Sequence, residues 1–82
     1  MRHVTTFIGP AVGLTKAYEY QAMELDTLGR VQLWYKAPGS KWEIGHSKDI
    51  PSGSTAENVA NLMRLYVQGE LTHETYNQLL PR

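Results

Sequence analysis

The chain has no cysteine, one phenylalanine, no excess of either charge and no long apolar run. Each absence excludes something. Without cysteine there are no disulfides and no thiolate metal sites, so an 82-residue fold must hold together by packing or by self-association. Eight basic and eight acidic residues cancel, which removes both the electrostatic footprint of a dedicated nucleic-acid binder and that of an acidic nucleic-acid mimic. The N-terminal stretch Met1 to Pro10 carries one Arg but no apolar segment of signal-peptide or membrane-spanning length. The expectation is therefore a cytoplasmic protein with no membrane contact, one domain over residues 1–82, at a size where stability is marginal.

What is present divides by period into a strand-rich front, residues 1–50, and a helical back, residues 51–82. Val4 to Ile8 reads as a short edge strand ending at Gly9-Pro10. Ala11 to Lys16 lacks periodicity and reads as a loop. Lys16 to Leu25 also suits a helix, but Tyr18, Tyr20 and Ala22 alternate against Glu19, Gln21 and Met23, and a turn follows, so strand is preferred. Asp26-Thr27-Leu28-Gly29 has hairpin-turn chemistry. Arg30 to Lys36 alternates cleanly, with Val31, Leu33 and Tyr35 on one side and Arg30, Gln32, Trp34 and Lys36 on the other. After the turn Ala37-Pro38-Gly39-Ser40, Lys41 to His46 alternates again and is expected to bury Trp42 and Ile44.

The back half opens on Ser54-Thr55-Ala56-Glu57, which reads as a capping box starting a helix. Ala56, Val59, Ala60, Met63, Tyr66 and Val67 recur at helical spacing, widened by Leu62 and Leu65. Gly69 suits a C-terminal cap. Thr72 then caps a second helix, Leu71 is placed to staple against Tyr76, and Pro81 stops the helix after about Leu80. The fold class predicted is α+β: a three- or four-stranded antiparallel meander followed by a helical hairpin packed on the sheet.

Within the back half, Leu62, Leu65, Tyr66, Gly69, Leu71, Thr72, Glu74, Tyr76, Leu79 and Leu80 resemble the SHOCT short C-terminal domain family. That family pairs a Gly-ended helix with a short second helix opening on Thr or Ser, and it usually has an acidic residue where Thr75 stands here. The resemblance implies an oligomerisation or docking role without catalysis, with Leu62, Leu65, Tyr76 and Leu79 as assembly contacts.

Chemistry-bearing constellations are few. His3, His46 and His73 lie on different elements without paired ligand spacing, so no metal site is expected and all three read as solvated. His46-Ser47-Lys48-Asp49 reads as a polar loop, since adjacent residues rarely converge on one reacting atom. Gly9 to Lys16 has the wrong glycine spacing for a phosphate-binding loop. Glu19 and Glu24 fall on opposite strand faces and form no carboxylate pair. The surviving feature is Trp34 with Arg30, Gln32 and Lys36 on the outward face of a strand, and Lys41 across the turn. A Trp among cations suits a protein contact or a second copy of the chain. The alternative is a nucleotide or single-stranded nucleic acid stacked on Trp34. No cofactor and no catalytic residue is expected. The small, cysteine-free form is also that of a phage or mobile-element regulator or inhibitor of a partner protein.

Overall fold

A computed structural model describes residues 1–10, 17–26 and 29–82. Four strands, β1 (Arg2–Gly9), β2 (Tyr18–Leu25), β3 (Arg30–Lys36) and β4 (Glu43–Asp49), form one antiparallel sheet in sequential order. Two helices follow, α1 (Ala56–Val67) and α2 (His73–Leu79). Both pack on the same sheet face, so the α+β meander with a C-terminal helical pair is the observed fold. The expected loop at Ala11 to Lys16 and the Thr27-Leu28 part of the first turn lie outside the described residues.

Alternation decides which side chains enter the core. Phe7, Ala22, Val31 and Leu33 project from β1, β2 and β3 toward the helices, and Ala56, Val59, Ala60 and Met63 meet them from α1. Tyr76 and Leu80 close the core from α2. At Gly9 β1 packs tightly against the end of α1: a Cβ there would sit 2.4 Å from Val67 Cγ1 and 2.7 Å from Tyr20 Cε2. The crossing is fastened by Gln68 Nε2 donating to the Ile8 carbonyl at 3.0 Å. At the other end of α1, Arg2 reaches both Glu24 (2.7 Å) and Glu57 (3.1 Å).

Two local expectations are corrected. The helix starts one residue late: Thr55 is the N-cap, accepting from the Asn58 amide at 3.1 Å. Pro51 to Ser54 is used up by a turn closed by Ser54 N donating to the Pro51 carbonyl, with Gly53 at φ +81°. Glu57 is then free to pair with Arg2. The second correction concerns β4, which starts at Glu43, not Lys41, and does not bury Ile44. Ile44 pairs directly with Trp34, while Gln32 pairs with Ser47, so Gly45 and His46 together oppose the neighbourhood of Leu33 as a β-bulge. Ile44 therefore shares the outward face with Trp34 and is 62% exposed, whereas His46 and Lys48 turn toward the helices.

Candidate functional site

Two surfaces bring functional side chains together. The first is the sheet face opposite the helices. Strand registers place Trp34 between Gln21 on β2 and Ile44 on β4, with Glu19 paired to Lys36 and Met23 to Gln32. Ile8 stands on the same face of β1, opposite Glu19, and is 64% exposed. Trp34 is half-buried among these neighbours, and its indole N–H has no hydrogen-bond partner among the described residues. Phe7 and both helices lie on the other side, and no described helix covers this face.

The cations expected around Trp34 are differently employed. Arg30 pairs with Asp49, and its guanidinium also donates to Ser47 Oγ at 2.8 Å. Gln32 Nε2 donates to the Gly45 carbonyl at 2.7 Å, satisfying backbone that the bulge takes out of the ladder. Both residues hold β4 in place, and neither is a free contact group. Lys36 lies over the Trp42 ring, its Nζ 5.4 Å from the centroid. Lys41 is exposed, outside the strand.

The second surface is a cleft of about 260 Å³ between β4 and the two helices. His46 Nε2 lies 2.7 Å from the Tyr76 hydroxyl, and His73 Nδ1 lies 3.0 Å from the Tyr66 hydroxyl. The two phenol rings stack, with centroids 4.2 Å apart and planes 3° from parallel. Lys48 Nζ donates to Asn77 Oδ1 at 2.7 Å and sits 5.1 Å from the Tyr76 ring centroid. Burial holds the Tyr76 phenol well above its ordinary range, with Tyr66 adding to the effect, so it stays protonated. Burial of the ring, and secondarily the Lys48 charge, pushes His46 below the usual histidine value.

This cleft was not visible in the sequence as a site. His46 and His73 are 27 positions apart in the chain, and only the β4 bulge turns His46 to the helix side. His3 stays on the outward face, 2.6 Å from Thr6 Oγ1. No cluster of three metal-ligating side chains forms among the described residues. The run His46-Ser47-Lys48-Asp49 is strand, not loop, and splits between faces: His46 and Lys48 enter the cleft, Ser47 and Asp49 meet Arg30. Of the expected assembly contacts, Tyr76 is 2% exposed and belongs to the core, and Leu62 packs against it. Leu65 is half-buried and Leu79 exposed.

The sequence profile of the family described as Mycobacterium phage L5 gene 74 protein matches residues 3–82. The chain belongs to this family. The match spans the strands as well as the helices and replaces the SHOCT resemblance of residues 61–80. In physical terms, Met63, Tyr76 and Leu80 are buried against the sheet, so the helical pair is part of one core with the meander and not a detachable C-terminal module. Family membership bears out the expectation of a phage protein. Comparison with curated proteins and with solved structures yields no match. No helix among the described residues is long and apolar enough to cross a membrane.

Proposed function

We propose that this phage-family protein is a non-enzymatic interaction module that uses the helix-free sheet face, and that the occupant of that face is a second copy of the chain. The observation that carries this reading is that Ile8, Trp34 and Ile44 share a face that no described helix covers, with Ile8 and Ile44 each more than three-fifths exposed. Three arguments favour a second copy. The molecule measures 38 × 27 × 15 Å, so its broad face exceeds the roughly 800 Å² per partner that a standard interface buries. The face carries both signs of charge, Glu19 beside Lys36, which suits a surface that must complement itself. A small fold without disulfides also gains most from covering exposed apolar groups.

A nucleic-acid role is less well supported, because Arg30 is already paired and Lys36 lies on Trp42. As a regulator or inhibitor, the module would act by occupying a protein surface and not by chemistry. Light scattering on the purified protein tests the reading: a dimer is expected for the native chain. Ile44→Asp, at an exposed position, should give a folded monomer, with association weakened by on the order of a hundredfold or more. A native chain that is monomeric at high concentration sinks self-association. A retained host protein would keep the face as an interaction surface but change its occupant, and a retained oligonucleotide would promote nucleic-acid binding.

A further inference from the structure

The cleft between β4 and the helices has a composition at odds with the rest of this electrically balanced chain. Its lining contains an ammonium, two imidazoles, two phenols, an amide and Ser47, and no carboxylate. Elsewhere Arg2, Arg30 and Arg64 each lie within 4.0 Å of an Asp or Glu oxygen. Lys48 has no such partner among the described residues, although it is half-buried, and its contacts are the neutral Asn77 amide oxygen and the Tyr76 ring. A half-buried ammonium with only neutral partners keeps most of its capacity for an anion, at a site where water screens the attraction less than at an open surface.

The arrangement is also preorganised. Lys48 is fixed from two sides, by Asn77 and by the Tyr76 ring. The imidazoles of His46 and His73 are each oriented by a phenol, and those phenols are locked by stacking on one another. Donor-capable groups thus converge from three elements: β4 supplies His46 and Lys48, α1 supplies Tyr66, and α2 supplies His73 and Tyr76. Convergence from several directions suits a tetrahedral oxyanion better than a planar carboxylate. A phosphate near neutrality carries about one and a half to two negative charges with several acceptor oxygens; the Lys48 ammonium supplies the opposing charge, and the neighbouring imidazole and phenol groups supply hydrogen bonds.

We propose that this cleft binds a phosphate group, either as the free ion or as a phosphate monoester. The site lies on the helix side of the sheet, so it stands independently of the self-association face.

The test is a titration of the intact chain, followed through its backbone and side-chain resonances, with inorganic phosphate, glycerol phosphate and acetate as separate probes at constant ionic strength. Phosphate or its ester should displace the Lys48, His73 and Asn77 signals saturably, with a Kd on the order of 1 mM or tighter. Lys48→Gln should weaken that by roughly tenfold or more, and Lys48→Arg should retain it. Tighter binding of the ester identifies a phosphate-bearing molecule as the ligand, and tighter binding of the free ion identifies phosphate itself. Where Lys48→Gln loses its fold, His73→Gln, at an exposed position on α2, carries the same comparison. No saturable displacement, an equal response to acetate, or binding unchanged in the variant overturns the proposal.

Discussion

His46 is the side chain whose protonation couples to folding. Its imidazole is more costly to charge in the folded protein than in the unfolded chain, first because burial strips water from the ring and second because Lys48 is a like charge beside it. Its folded value therefore lies below 6.5. Between those two values the unfolded chain binds more protons, so stability is full above 6.5 and declines as pH falls through the folded value. The loss is small, because the residue as a whole is exposed and solvent screens the charge. Thermal melts at neutral pH and at roughly pH 5 should differ more for the native chain than for His46→Asn. An equal acid sensitivity in the two proteins places the titrating group elsewhere.

At the scale of elements, what was legible in the sequence was what is decided locally. Gly69, Leu71 and Thr72 announce the break between the helices, and each does its own job. Gly69 takes φ +80°, its amide donates to the Tyr66 carbonyl, and the Glu70 amide donates to the Leu65 carbonyl, which together close α1 in a Schellman motif. Thr72 accepts from the Thr75 amide at 3.1 Å. The alternation in β2 and β3 likewise identified the Trp34 face. What was not legible depends on partners. The β4 bulge exists because of how Gly45 and His46 meet Leu33 and Gln32 on another strand, so neither the exposure of Ile44 nor the entry of His46 into a cleft follows from its own letters. Similarly, the helix cap moved from Ser54 to Thr55 because a Gly53 turn claimed the serine. The local part supports a sharp prediction. Gly69→Ala should destabilise the protein by about 1 kcal/mol, lowering Tm by roughly 4–8 °C. Gly69→Asn should lose less, because Asn tolerates the left-handed region. Equal losses for the two variants would mean that the cap conformation does not set the cost.

Viewed as a whole, the molecule is a 15 Å-thick slab with one layer of helices on one layer of sheet. Among the described residues ten apolar side chains are buried in its core, while Ile8 and Ile44 remain exposed on the far side. Covering that side with a second copy links folding to concentration: unfolding then releases two chains from one native particle, and mass action favours the native dimer as protein is added. Each tenfold rise in concentration should add up to about 1.4 kcal/mol to the stability of the dimer, and Tm should climb by a few degrees. Because the net charge is zero and the charges on the face are of both signs, Glu19 beside Lys36 and Arg30 beside Asp49, this climb should depend little on salt. Trp34→Ala removes the central side chain without emptying the core on the helix side, so its melting should become independent of concentration. Calorimetric or dichroism melts over two decades of concentration measure both slopes. A flat native Tm means the slab is stable alone, and its exposed isoleucines then face some other protein. A slope that survives Trp34→Ala would move the dimer contact off the sheet and onto the helix side, where Leu79 is an exposed apolar residue.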